Sequence, residues 1–165
     1  MKHVFALMSA YLGMLSLSFV AADDVPAKAG HEGDKGHVVL KPSSIKWMDA
    51  PPALPAGAQA AILAGDPGKP GPYTIRVKMP DGYKVPPHWH PTDENVTVIQ
   101  GTLMVGRGET FAEKASEELP AGSYMRMPKT MRHFAWAKGE TIVQVHGMGP
   151  FEINYVNAAD DPRKK

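Results

Sequence analysis

The chain has 165 residues, 43% of them apolar, which is enough for one domain with a true core and too few for two comfortable ones. Lys and Arg total 18 against 17 Asp and Glu, so no net field draws nucleic acid or an anionic membrane surface, and the expected partner is a small molecule. No cysteine occurs, which excludes disulfides, thiol catalysis and cysteine-based zinc sites and leaves core burial or a bound metal to hold the fold.

The N-terminus, "MKHVFALMSAYLGMLSLSFVAADD", has a basic start at Lys2, an apolar stretch and a small-residue ending. It reads as a secretory signal over residues 1–22, cut after Ala22, so the mature chain is expected to be exported, with the bacterial periplasm as the natural compartment and no membrane association after cleavage. Residues 23–37 are polar and rich in small side chains, and are expected to form a flexible leader. The folded domain is expected over residues 38–156, with 157–165 as a solvated tail.

Within the domain, short windows at "AQAAILAG" and "AEKASEEL" have local helical periodicity. The rest consists of strand-length runs rich in β-branched and aromatic residues: "YTIRVKM", "NVTVIQ", "TLMVGRG", "SYMRMP", "HFAWA", "ETIVQVH" and "FEINYV". Turn signals such as "DG", "QG", "AG" and "KG" separate them. The pattern predicts an all-β antiparallel barrel or sandwich with short flanking helices or turns.

Polar side chains of one kind interrupt this pattern in "DGYKVPPHWHPTDENVTVIQG". Residues two apart on a strand share a face, so His88 and His90 converge while Trp89 points away. Glu94 has the parity of Val96 and Val98; if those valines face the core, so does the carboxylate. A lone buried carboxylate is strongly unfavourable, whereas one bound with two neutral imidazoles to a divalent cation is satisfied. A further ligand is expected from a neighbouring strand, with His133 and His146 as the candidates.

These residues form a known pattern. Gly82, His88, His90, Glu94 and Gly101 match G-x5-H-x-H-x3,4-E-x6-G in full. Gly122, Pro128 and His133 match G-x5-P-x-G-x2-H-x3-N, with Thr130 in place of the internal glycine and Ala137 in place of the final asparagine. On these motifs the chain resembles the cupin superfamily. The resemblance implies a small antiparallel jelly-roll barrel, a homodimer, and a metal held by His88, His90, Glu94 and His133.

Three nitrogens and one oxygen suit Fe, Mn, Co, Ni, Cu or Zn and disfavour Ca or Mg. Positions left open on such an ion take water, dioxygen or a bidentate substrate. The reading placed first is a metal-dependent oxidoreductase of dioxygenase type acting on a small chelating molecule, with Glu94 as ligand and proton acceptor and His146 as a second catalytic candidate. Tyr73, Arg76, Gln144 and Trp136 are the candidate pocket residues. The rival readings are a non-catalytic metal-binding or sensory module and a metal-dependent isomerase or lyase without redox chemistry.

Overall fold

The computed structural model describes residues 36–164, so the expected signal peptide and most of the expected leader lie outside the described residues. Among the described residues no helix is long and apolar enough to cross a membrane. The described residues form nine strands: β1 (Met48–Asp49), β2 (Gln59–Ala64), β3 (Gly71–Met79), β4 (Lys84–Trp89), β5 (Glu94–Arg107), β6 (Glu117–Pro120), β7 (Tyr124–Met127), β8 (His133–Gly149) and β9 (Asn154–Tyr155). Single 3-10 turns accompany them at Pro42–Ser44, Glu113–Ala115, Ala158–Asp160 and Pro162–Lys164.

All strand pairings are antiparallel. The two long strands organise them. The C-terminal half of β8 pairs with β3 and with the start of β5, which in turn pairs with β7; β2 and β1 extend this layer beyond β3. The N-terminal half of β8 pairs with β4 and with the end of β5, whose other neighbour is β6; β9 extends this layer beyond β4. Both β5 and β8 therefore run from one layer into the other, which gives an open jelly roll with its core between the layers.

Alternation decides what the core contains. Along β3, Tyr73, Ile75, Val77 and Met79 are buried while Thr74, Arg76 and Lys78 are only partly so. Along β8, Val143 and Val145 face inward from one layer and His133, Ala135 and Ala137 from the other. Each fully buried Val, Leu, Ile, Phe or Met contributes about 1.5–3 kcal/mol relative to leaving it exposed, which holds the two layers together without disulfides.

Three expectations are corrected. The "AQAAILAG" window is strand β2, because the outer edge of β3 supplies a ladder partner that a helix there would forgo. "AEKASEEL" resolves into a single 3-10 turn followed by β6. "QG" and "KG" end no strand: Gly101 and Gly139 lie inside β5 and β8 at φ 72° and 76°, where the strands bend between layers. The bend in β5 shifts parity, since Glu94, Val96 and Val98 face inward before it and Leu103 and Val105 after it.

The C-terminal residues also do more than the sequence implies. Asp161 is buried, and the Arg163 guanidinium donates to its carboxylate at 2.7 and 2.9 Å and to the Ile153 carbonyl at 2.9 Å. Residues 157–164 thus pack back on the segment that follows β8, where a solvated tail was expected.

Candidate metal centre

β4 and β8 place His88 directly across from His133. His90 follows β4, and Glu94 opens β5. The four converge between the layers at 4%, 3%, 1% and 8% exposure for His88, His90, His133 and Glu94, so each polar tip must find its partner inside the protein. The imidazole centroids lie 4.2 Å apart for His88 and His133, 5.0 Å for His88 and His90, and 5.3 Å for His90 and His133.

Backbone carbonyls fix the tautomers. His88 Nδ1 lies 2.7 Å from the Pro86 oxygen, His90 Nδ1 2.7 Å from the Glu152 oxygen, and His133 Nδ1 3.1 Å from the Met131 oxygen. A carbonyl oxygen only accepts, so each Nδ1 carries a hydrogen and donates it. In the neutral ring each Nε2 is then left as a lone pair. Glu94 Oε2 lies 3.4 Å from His90 Nε2 and 3.4 Å from His133 Nε2. Lone pairs and a carboxylate facing one another at that range require a positive charge among them.

The donor set fits a metal ion on two observations. The ligand atoms of His88, His90 and His133 lie within 4.8 Å of one another, in reach of one ion. His90 Nε2 is buried and has no hydrogen-bond partner. Metal-free, the cluster gathers its positive charge as a proton. Burial lowers the His90 pKa, but the Glu94 carboxylate beside it overrides burial and leaves it above the ordinary value. Burial raises that of Glu94, but His90 and His133 bring it well below the usual carboxylate range. His88 is pushed down to about 3, by burial first and then by its two imidazole neighbours, so it stays neutral.

These shifts set the pH dependence of metal uptake. His90 must release a proton to become a ligand, whereas His88 has none to release above about pH 3. The logarithm of the apparent affinity is expected to climb by about one unit per pH unit up to the raised His90 pKa and to flatten above it. Calorimetric Zn(II) titrations in buffers of different ionisation enthalpy read the released proton, and a flat profile from pH 6 to 8 overturns the assignment. The stability linkage of the metal-free protein has opposite signs at the two rings. Neutral His88 contributes stability above pH 6.5 that is lost as pH falls toward 3, and His90 contributes stability below 6.5 that is lost as pH rises through its raised pKa.

The centre lies against an apolar cavity of about 70 Å³. Val77, Met79, Val85, Leu103, Val143 and Val145 are among its walls, together with Leu54, Met125, Phe151 and Ile153. Phe151 stacks on His90 at 5.2 Å and 18°, and the Glu152 carbonyl orients the same histidine. The apolar run of "FEINYV" signals a buried segment, but nothing in a sequence marks a carbonyl as a histidine's partner.

The other candidates separate by strand parity. Tyr73 faces inward, packs on Phe151 at 5.6 Å, and has its phenol pKa raised by burial first and by Glu94 second. Arg76 and Gln144 do not enter the cavity: Ile75, Val77, Val143 and Val145 take the inner face, and Arg76 Nε donates to Gln144 Oε1 at 3.2 Å across the outer one. Trp136 alternates with inward Ala135 and Ala137 and donates to Ser116 Oγ at 3.2 Å. His146 is exposed on the outer face next to inward Val145 and is not at the centre, so the catalytic expectation for it is withdrawn.

Thr130 stands at φ 65°, where the motif has glycine, and its backbone N–H donates to the His90 carbonyl at 2.8 Å. The left-handed backbone is therefore kept despite the β-branched residue, and it ties the loop before His133 to the loop that carries His90.

Comparison with solved structures shows the fold. An acetylacetone dioxygenase from Acinetobacter johnsonii aligns over 80% of this chain and 85% of its own at TM-score 0.59 and 16% identity. The polyketide cyclase RemF from Streptomyces resistomycificus aligns over 76% and 89% at 0.57 and 17%. An RmlC-like cupin from Shewanella frigidimarina aligns over 66% and 87% at 0.52 and 14%. No curated protein matches the sequence. A family model described as a domain of unknown function, DUF4437, matches residues 38–164, and the chain belongs to that family and has the cupin fold.

Proposed function

We propose that this protein is a metal-dependent oxidoreductase of dioxygenase type that acts on a small, uncharged molecule able to chelate a metal ion. The observation that carries the reading is the cluster of three Nε2 lone pairs and one carboxylate, each imidazole fixed through Nδ1, set against an apolar cavity. His88, His90, His133 and Glu94 would hold one divalent Fe, Mn, Ni, Cu, Co or Zn ion, which when bound supplies a Lewis acid and, for the redox-active metals, an electron couple.

The rest of the assignment follows from this chain's own residues. None of the cavity walls is a lysine or arginine, so no side chain there pairs with an anionic group beyond the one the ion itself holds. Its volume of about 70 Å³ is half of the roughly 150 Å³ that takes a benzene ring in an apolar protein cavity, so the group bound beside the ligands is small. Glu94 is the sole carboxylate among the walls and the place for a proton leaving a chelating hydroxyl. The valine and methionine walls exclude water and keep the local dielectric low. The acetylacetone dioxygenase of the same fold supports a diketone-like substrate class. Export to the periplasm, and association as a homodimer through open sheet edges, belong to the same proposal.

The test is metal analysis of protein matured in its own host, followed by oxygen uptake with small 1,3-dicarbonyl and 2-hydroxycarbonyl compounds. Near-stoichiometric Fe, Mn, Cu or Ni with uptake for one class supports the reading. Stoichiometric zinc without uptake overturns the oxidoreductase in favour of Lewis-acid chemistry or binding alone.

A further inference from the structure

The cavity beside the metal ligands touches the surface clefts through three side chains. Leu54 lines both the cavity and the cleft under Pro52–Gly57, Phe151 both the cavity and the cleft beside Met48 and Ile62, and Met125 both the cavity and a cleft of about 540 Å³ flanked by β6 and β7. Each of these side chains stands between the cavity and one neighbouring cleft, so a ligand that approaches from that cleft passes it on the way to the histidines.

Two of the three are fastened. The carbonyls on either side of Leu54 accept hydrogen bonds from phenols, Ala53 from Tyr155 and Pro55 from Tyr83, and the Leu54 N–H donates to the Pro51 carbonyl at 2.9 Å. Phe151 is stacked on His90, packed on Tyr73, and held by its N–H to the Pro67 carbonyl at 2.7 Å. Moving Phe151 would disturb a histidine that the centre needs in place.

Met125 is different in kind. It sits half-buried on β7, a four-residue strand whose one ladder is to β5. β6 and β7 both pair with β5 and not with each other, because β5 passes from one layer to the other between them. That is a seam in the barrel wall, and Leu119, Met127 and Met131 line it beside Met125. Methionine is unbranched, with three rotatable bonds, so its side chain swings aside without moving the backbone.

We infer that ligands reach the metal centre through the seam between β6 and β7, and that Met125 is the side chain that admits them by size. The inference rests on the metal-centre reading above and adds the direction of approach and a residue that determines specificity. The polar rim of the cleft, with Arg107, Glu117 and Arg126, faces water, while the door itself is apolar. A molecule with a small chelating end thus passes from a wet cleft into a dry cavity.

The experiment loads the protein with Co(II) and follows, by stopped-flow visible spectroscopy, the association of acetylacetone, an uncharged oxygen chelator. Met125→Ala is expected to speed association about tenfold and Met125→Phe to slow it by about as much, the change that roughly 1.4 kcal/mol of barrier produces. Co(II) stoichiometry should stay the same in both variants, and Ile62→Ala, in the cleft beside Phe151 but outside the cavity, should leave the rate near wild type. Met125→Leu, which keeps volume and removes flexibility, should slow association even if the phenylalanine variant folds poorly. Full Co(II) occupancy with rates indifferent to residue 125, or a rate that responds to Ile62→Ala instead, overturns this inference alone. Wild-type protein that takes up no Co(II) overturns the metal-centre reading and this inference with it.

Discussion

Glu94→Gln is expected to abolish the thermal stabilisation that a divalent metal gives the wild-type protein while leaving the metal-free fold intact. The proposed ligand set is assembled in the native state and has no counterpart in the unfolded chain, so metal at a hundred times its Kd would add about 2.7 kcal/mol of stability. For a domain of this size that corresponds to a rise in Tm of roughly 10 °C. Glutamine keeps the shape of the side chain but removes the charge that draws a cation between His90 and His133, each of which faces Glu94 Oε2 at 3.4 Å. Loss of a residue that only orients a ligand already costs about 10–100-fold in affinity, and loss of a ligand should exceed that. Metal-free, the variant gives up the ion pair with His90 but also the desolvation of a buried carboxylate, and the two largely cancel. The measurement is thermal denaturation with and without Zn(II) or Mn(II), with metal analysis on the same samples. An equal metal-induced shift in wild type and Glu94→Gln would remove Glu94 from the ligand set; His133→Ala should behave the same way.

The cluster was legible because its members have the spacing of a known motif, and strand parity groups His88 with His90 and Glu94 with Val96 and Val98. The outward side chains were harder to read. Arg76, Trp136, Gln144 and His146 belong to strands whose inner and outer faces are both rich in large residues, and an alternating pattern does not say which face is the inside until packing chooses. Packing chose valines, and the polar candidates went out. The C-terminal residues show the complementary limit, because "NAADDPRKK" has the composition of a solvated end. What buries Asp161 is a guanidinium two residues away that also reaches the Ile153 carbonyl, next to the carbonyl that orients His90. The helical windows failed for a related reason: β2 and β6 owe their conformation to ladder partners on the adjacent strand, outside the window that carries the periodicity.

Gly101→Ala should be strongly damaging for a single-methyl change, and it tests how the motif glycine serves the site. Gly101 sits at φ 72°, and a Cβ there would overlap the Glu140 carbonyl and stand 2.8 Å from Thr141 Oγ1 and 3.0 Å from Thr141 Cα. Thr141 has no freedom to retreat: it is fully buried, and its hydroxyl lies 3.0 Å from the Thr102 carbonyl and 3.0 Å from the Gly139 carbonyl. Left-handed backbone costs a residue with a Cβ about 1–2 kcal/mol, and overpacking at a rigid site adds about 1–3 kcal/mol. A loss of about 2–5 kcal/mol is therefore expected by urea denaturation, a large share of the roughly 5–15 kcal/mol that holds a domain folded. The residue acts on parity as well as on space. The bend at Gly101 lets Glu94 and Val96 face the core from one layer while Leu103 and Val105 face it from the other. Straightened, β5 would turn Leu103 and Val105 outward and strip the cavity of one wall. Glu94 comes from β5 before the bend, while His88 and His133 sit in the layer paired with its end, so any folded fraction of Gly101→Ala that keeps the bend should still bind metal. Stability falling with stoichiometric metal retained is the expected pair of results; a variant within 1 kcal/mol of wild type would show that β5 crosses between layers without needing the glycine.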